Sequence, residues 1–183
     1  CGTVSKHKDG VDDLIKAFRI VHEKYEQYKL LIIGGYSSAY QDKEELEALV
    51  NRLSIKEHVV FTGKVLPSEM PQMLYDASIL ALARPDNIQA KYGFPTKVGE
   101  YLCTGNPTVL TNVGELPLFL EDMKNCVFAQ ADNHEDFADK LIWVIEHRDK
   151  ASHIAAEGKK LVDSAFSIKG QCEKVLKFFE NID

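Results

Sequence analysis

Short apolar runs alternate with amphipathic stretches along all 183 residues, and glycine or a polar loop closes most of the runs. Residues 2–4 read as the end of a first strand. Residues 29–33 form an apolar run that stops at Gly34-Gly35, as a buried parallel strand would. Residues 59–61, 78–83, 108–111 and 125–128 read the same way. Between the runs the apolar residues fall at helical spacing. Val11, Leu14, Ile15, Phe18, Val21 and Tyr25 mark a helix starting near Asp9. Leu46, Leu49, Val50 and Leu53 mark the inner face of a helix over 42–53. Pro67 suits the first turn of a helix over 68–76. Further helices are expected near 115–119 and over 133–146, 150–166 and 168–180. Strands separated by helices pair in parallel through right-handed crossovers. The expected fold is therefore α/β, a doubly wound Rossmann-like parallel sheet of about six strands with helices on both faces.

Such sheets place ligands at the carboxyl ends of their strands. That end collects the loops 5–10, 34–39, 62–67, 84–96 and 112–115. The longest, 84–96, precedes Gly-Phe-Pro-Thr-Lys-Val-Gly-Glu-Tyr-Leu-Cys-Thr-Gly-Asn-Pro at 93–107. A glycine and a proline turn the chain there, and a short helix follows with Val98, Tyr101 and Leu102 on one face. Gly105 and Pro107 stop it. A loop feeding a helix N-terminus presents free backbone N–H groups and binds anions, phosphates above all. Thr96 suits an N-cap, and Lys97 beside it would suit a phosphate. Glu100 can accept two hydroxyl hydrogen bonds, as a ribose would offer. Capping and solvation explain the same residues equally well one at a time. The same holds for Lys6, Lys8 and Gly10 after the first strand, and for Gly34-Gly35, where a backbone could approach a ligand closely. Together, a basic loop and a helix N-terminus with an acid outline a site for a nucleotide diphosphate, and for a nucleotide sugar in particular.

Charge and composition remove other classes. Acids outnumber Lys plus Arg by 28 to 22, which argues against a nucleic-acid partner. The apolar runs are too short to span a bilayer, and no signal peptide is visible. Cys1, Cys103, Cys126 and Cys172 are scattered, so free thiols in a reducing, cytoplasmic compartment are expected. The six histidines form no ligand-spaced cluster, and no Asp-x-Asp motif offers a metal seat; Asp12-Asp13 lies inside a helix. No linker or repeat divides the chain. The opening Cys1-Gly2-Thr3-Val4, with no initiator Met, reads as part of something longer.

The order of these segments resembles the C-terminal, donor-binding domain of the glycosyltransferase group 1 family (family 4), enzymes of GT-B fold. The resemblance runs from Gly2-Thr3-Val4-Ser5-Lys6-His7-Lys8-Asp9-Gly10-Val11 through Leu31-Ile32-Ile33-Gly34-Gly35 and Val60-Phe61-Thr62-Gly63-Lys64-Val65. It continues through 93–107 to Thr111-Asn112-Val113-Gly114-Glu115. It implies that residues 1–183 are a nucleotide-sugar binding domain whose N-terminal acceptor domain is absent. Lys8 would neutralise the donor diphosphate, and Glu100, matching the second acid of the family's two-glutamate motif, would hold the ribose; these are the catalytic candidates. Gly2 stands at the family's first glycine. Gly35 ends the matched strand, and Gly63, Lys64 and Val65 lie where main-chain groups meet the base. Gly93, Phe94, Thr96 and Lys97 form the turn that meets phosphates and donor sugar.

Two positions depart from the family pattern. Thr3 stands where an arginine is common, and Tyr92 where the first acid of the motif is expected. Lys97 could replace the missing cation, and Asn87 and Gln89 could supply polar contacts. The implied reaction moves a sugar from a UDP- or GDP-sugar to a hydroxyl acceptor with retained configuration. It needs no metal and no cofactor beyond the donor. Polysaccharide or glycolipid synthesis is the implied setting, with peripheral membrane association of a full protein as a further expectation. The domain alone is expected to bind nucleotide weakly and transfer nothing. Two other readings stay open: a Rossmann-type domain of another nucleotide-dependent enzyme, such as an oxidoreductase or ligase, and a non-catalytic nucleotide-binding module. The absence of Gly-x-Gly-x-x-Gly counts against the oxidoreductase.

Overall fold

A computed structural model describes residues 1–36, 42–164 and 166–181. Its elements follow the alternation. They run α1 (Lys6–Asp9), α2 (Val11–Lys24), β1 (Leu30–Ile33), α3 (Asp42–Arg52), β2 (Val59–Gly63), α4 (Met70–Tyr75), β3 (Leu80–Leu82) and α5 (Ile88–Lys91). Then come α6 (Lys97–Thr104), β4 (Thr108–Thr111), α7 (Leu116–Phe119), β5 (Val127–Ala129), α8 (His134–Glu146), α9 (Arg148–Lys160) and α10 (Ile168–Glu180). Residues 37–39 of the second strand-end loop lie outside the described residues, as does 165 in the expected helix over 150–166.

All strand pairings between these elements are parallel, and the connections carry helices to both faces. β1 pairs with β2, in register Leu30 to Val59. β3, β4 and β5 form a second sheet in that order, with Leu80 opposite Thr108 and Val109 opposite Val127. Where a single sheet of about six strands is expected, the described residues form five strands in two sheets. The sixth, at 2–4, makes an isolated parallel bridge from Val4 to Tyr36, and its Gly2 and Val4 amides donate to the Ile33 and Gly35 carbonyls.

Side chains alternate across a strand, so the three-stranded sheet feeds two cores. Leu80, Leu82, Leu110 and Phe128 pack with Leu74, Val98, Tyr101 and Leu116, on the side of α4, α6 and α7. Val109, Val127 and Ala129 pack with Ala17, Val21, Phe137 and Ala138, on the side of α2 and α8. A third cluster joins Ile32 and Val59 to Ile15, Phe18, Leu46 and Val50. Helix α2 contributes to the second and third clusters and so ties the two sheets together. Each buried side chain of this size contributes roughly 1.5–3 kcal/mol of transfer free energy.

Three local expectations change. The first helix is broken: Ser5 caps α1 by accepting from the Lys8 amide, and Gly10 ends it in the left-handed region. A side chain at Gly10 would place its Cβ 1.7 Å from the Ala83 carbonyl oxygen, so the α1–α2 turn rests on the end of β3. The helix expected over 68–76 starts later, with Pro71 rather than Pro67 in its first turn. The long loop contains a one-turn helix, α5, capped by Asn87 through the Ala90 amide.

Candidate functional site

Gly2–Val4, α1, the ends of β1 and β2, and the 84–97 segment meet at the carboxyl end of the strands. The charges there fall into two sets. One set is turned inward and fully occupied. The Lys97 ammonium donates to Asp9 Oδ2 and to the Cys1 carbonyl, both at 2.7 Å, with side-chain exposures of 14% and 8% for Lys97 and Asp9. A cation at a helix N-terminus opposes the helix dipole, and Asp9 offsets it. Gly2 fits beneath, where an added Cβ would lie 3.0 Å from Lys97 Nζ. Lys97, expected to face phosphate, instead joins α6 to the α1–α2 turn.

Arg84 extends this clamp. It is 4% exposed, at the end of β3. Its Nη1 donates to the Gly93 carbonyl at 2.6 Å and Nη2 to the Gln89 carbonyl at 3.3 Å, while its own carbonyl accepts from Thr111 Oγ1. Its buried Nε has no partner among the described residues. Burial lowers the Arg84 pKa, and Asp9 works against that. Asn87, expected to offer polar contacts, spends its carbonyl on the α5 cap and donates from Nδ2 to the His7 carbonyl at 2.6 Å. Gln89 is exposed and enters the clamp through its backbone. Lys6 is engaged too, by Glu45 and Asp42, and its amide donates to Asp42 Oδ2.

The turn into α6 is shaped from below. The Phe94 ring leaves the rim and packs on Phe119 and Phe166, with centroids 5.2 and 5.7 Å away. Thr96 makes no side-chain cap and is already helical, contrary to the N-cap expectation. The Val98 and Gly99 amides donate to the Pro95 and Thr96 carbonyls. The amides of Gly93, Phe94, Thr96 and Lys97 have no acceptor among the described residues. Four N–H groups within five residues, at the start of an eight-residue helix, are thus left without an acceptor among the described residues.

The second set of charges is exposed and unoccupied. Lys8 and Glu100 are both exposed, and neither side chain has an ion pair or hydrogen bond among the described residues. Tyr92, at the position of the missing acid, is 85% exposed at the end of α5. At the neighbouring strand ends, the Gly34 amide donates to the Gly63 carbonyl at 3.0 Å, and Gly63 itself faces open space. The Lys64 stem lies over Gly35, where an added Cβ would come within 2.9 Å of its Cγ. Val65 is half-buried beside it.

The sequence assigned Arg84, Asp9 and Tyr101 no role in this region. Tyr101 is buried, its hydroxyl accepts from the Cys1 nitrogen at 3.0 Å, and burial pushes its pKa up. A signal for Arg84 was present: a charge set directly against the buried run Leu82-Ala83 must find partners. Among the described residues no group of three or more His, Cys, Asp or Glu is placed to hold a metal, and no helix is long and apolar enough to cross a membrane.

The sequence model of the family described as "Glycosyl transferases group 1" matches residues 1–147. The chain is 24% identical over 176 residues to mannosylfructose-phosphate synthase of Agrobacterium fabrum, covering 93% of this chain and 37% of that protein. It is 24% identical over 179 residues to a GDP-mannose-dependent alpha-(1-6)-phosphatidylinositol monomannoside mannosyltransferase of Mycobacterium tuberculosis, covering 96% and 45%. It thus spans less than half the length of these relatives. Among solved structures, the C-terminal domain of a glycosyl transferase group 1 family protein (LpcC) from Francisella tularensis superposes with a TM-score of 0.81 at 24% identity, over 92% of this chain and 84% of that one. Anabaena Alr3699/HepE in complex with UDP and glucose superposes with a TM-score of 0.83 at 20% identity, over 99% and 48%. These likenesses show the fold.

Proposed function

The chain belongs to the glycosyl transferases group 1 family, and we propose that it is the donor-binding half of a retaining glycosyltransferase. Its substrate is a UDP- or GDP-sugar, and a hydroxyl acceptor is held by a separate N-terminal domain. The observation that carries this reading is the coincidence of four free amides at 93–97 with two unpaired charges of opposite sign, Lys8 and Glu100, on one rim. Lys6, Arg84 and Lys97 already have partners in the protein.

In this reading the diphosphate lies over the Gly93–Lys97 amides, with the Lys8 ammonium beside it. As the bond between the anomeric carbon and the diphosphate oxygen breaks, negative charge grows on the leaving group. Donors fixed before the reaction stabilise that charge without reorganising, and such stabilisation usually contributes more to catalysis than any other effect. Glu100 accepts the two ribose hydroxyls. Gly63, Lys64 and Val65 border the base, where Gly63 leaves open space, while Gly2 and Gly35 let the Lys97 and Lys64 side chains lie close against the backbone. Phe94 and Thr96 contribute main chain only. Lys97 and Arg84 act through position, holding the turn whose amides meet phosphate. With Tyr92 in place of an acid, the rim has fewer contacts for the sugar than for the nucleotide. The donor names of the relatives, GDP-mannose in one and UDP with glucose in another, fit this substrate class. Assembly of polysaccharide or glycolipid at the cytoplasmic face of a membrane is the setting that fits such acceptors.

Thermal shift against a nucleotide panel tests the reading. UDP or GDP should raise the melting temperature, inorganic diphosphate should raise it less, and NAD should leave it unchanged. Stabilisation by NAD without UDP or GDP would return the chain to another class of nucleotide-dependent enzyme. The isolated chain should transfer no sugar, and turnover by it alone would contradict the division of labour between halves.

A further inference from the structure

The turn that carries the free amides is held at both ends by charge. Arg84 Nη1 donates to the Gly93 carbonyl at 2.6 Å, and the Lys97 ammonium meets Asp9 at 2.7 Å. Between these ends the amides of Phe94 and Thr96 have no acceptor among the described residues, so no hydrogen bond of their own fixes them. Pro95 is buried and has no N–H to offer. The Val98 and Gly99 amides tie the Pro95 and Thr96 carbonyls to α6 itself, and those bonds move with the helix. The middle of the turn therefore rests on the Phe94 side chain.

That side chain is held by two other rings. Phe94 meets Phe119 of α7 edge-on, with centroids 5.2 Å apart and planes at 72°, and meets Phe166 at 5.7 Å and 34°. Phe119 and Phe166 meet each other at 5.9 Å. All three separations lie where aromatic rings attract beyond their burial. A phenylalanine side chain turns about only two torsions, so a ring fixed by two neighbours leaves its own Cα little room. Phe166 also reaches α6, where a Cβ added to Gly99 would lie 3.9 Å from the Phe166 Cβ. Phe166 is fixed in turn by its surroundings. Its amide donates to the Leu161 carbonyl at 3.3 Å, and Ser167 beside it caps α10 by accepting from the Gly170 amide at 3.0 Å. Phe94 and Phe166 are half-buried and Phe119 is 37% exposed, so the three rings sit at the margin of the core around Tyr101 and Leu116. Their loss should disturb the turn more than the fold.

We infer that Phe166 and Phe119 are positioning residues for anion binding: through the Phe94 ring they hold the amides of residues 93–97 in one arrangement, and so set the affinity of the rim for a diphosphate. Their own rings act only through Phe94 and α6. Donors fixed before the ligand arrives need no reorganisation, and a misplacement of about 1 Å can weaken such an effect by as much as about a hundredfold. Residues beyond α9 thus act on a turn that precedes α6. The inference rests on the proposed reading that these amides meet a diphosphate.

Calorimetric titration of UDP, GDP and inorganic diphosphate into the parent, Phe166→Ala and Phe166→Tyr chains tests it. Phe166→Ala should weaken diphosphate and nucleotide alike by about tenfold, and Phe166→Tyr, which keeps the ring, should bind within about threefold of the parent. Leu141→Ala opens a cavity in the cluster facing α2 and α8, and should lower the melting temperature without changing affinity. The amide resonances of Gly93, Phe94, Thr96 and Lys97 should shift in Phe166→Ala and stay in place in Leu141→Ala. A double-mutant cycle gives a readout that lost stability alone would not move. Adding Phe166→Ala to Phe94→Ala should weaken binding no further, while adding it to Lys8→Ala should weaken it by the full factor. Should Phe166→Ala fail to fold, Phe119→Ala carries the same cycle. Parent-like affinity in Phe166→Ala overturns the inference and leaves the nucleotide reading standing, as does an effect that multiplies with that of Phe94→Ala. A parent that binds neither nucleotide nor diphosphate contradicts the nucleotide reading itself, and the inference falls with it.

Discussion

Lys97 and Lys8 are both lysines of strand-end loops, and the fold uses them in opposite ways. Lys97 is turned inward, with Asp9 and the Cys1 carbonyl both at 2.7 Å. Lys8 is exposed and has no side-chain partner among the described residues. The inward set, with Arg84, ties α1, α5 and α6 into a fixed rim. The exposed set, with Glu100 and the free amides of 93–97, is what the rim offers. A charge whose partner is already in the protein contributes to shape; a charge without one is free to meet a ligand. Tertiary contact thus separates residues that sequence alone places in one group.

The largest expected effect lies on the inward side. Lys97→Met removes the ion-pair partner of buried Asp9, leaving only the more distant Arg84 charge, and should cost about 3–5 kcal/mol, a drop in melting temperature on the order of 10 °C. Urea denaturation measures it, and a cost below about 1 kcal/mol would mean the pair is solvated and the division between the two sets is false. Arg84→Met comes next. It leaves the Gly93 and Gln89 carbonyls without their donor, an expected loss of roughly 1–3 kcal/mol. Nucleotide affinity should fall with it, because the free amides lose their support. Arg84→Lys should recover only part of the stability, since one ammonium cannot reproduce the fork.

The smallest effect is a dependence on pH. The His22 and His58 rings meet at a tilt with centroids 3.9 Å apart, and the Nδ1 atom of each is buried without a hydrogen-bond partner among the described residues. Burial, then His58 and Arg19, lower the His22 pKa below 6.5, with Glu26 opposing. The unfolded imidazole then binds its proton before the folded one does. Stability should therefore fall as pH drops through about 6.5 and flatten once folded His22 titrates. A series of melts from about pH 8 to about pH 5, spanning the titration of histidine, checks the sign, and His22→Asn should flatten the curve. A rise in stability on acidification would contradict the assignment.

The alternation of strands and helices was legible because apolar period and glycine punctuation are local. Leu30-Leu31-Ile32-Ile33 and Val109-Leu110 announce buried strands by composition alone. What was not legible depended on distant residues. Lys97 meets Asp9 across 88 positions of sequence, and nothing near either residue names the other. Asn87 could be read as a loop amide but not as the cap of a helix one turn long. Thr96 has the chemistry of a cap, yet its backbone is already helical, which directs its hydroxyl away from that role. The candidate rim follows the same rule: sequence could nominate its charges, and only tertiary contacts could divide them into held and free.

The free set, and not the inward one, is proposed to meet a nucleotide diphosphate. Isothermal titration of UDP and GDP into the parent, Lys8→Ala and Glu100→Ala chains tests this directly, with melting curves run alongside. Both substitutions should weaken binding by about tenfold or more, while stability stays within about 0.5 kcal/mol. Parent-like affinity in both variants, with the fold intact, would contradict the account.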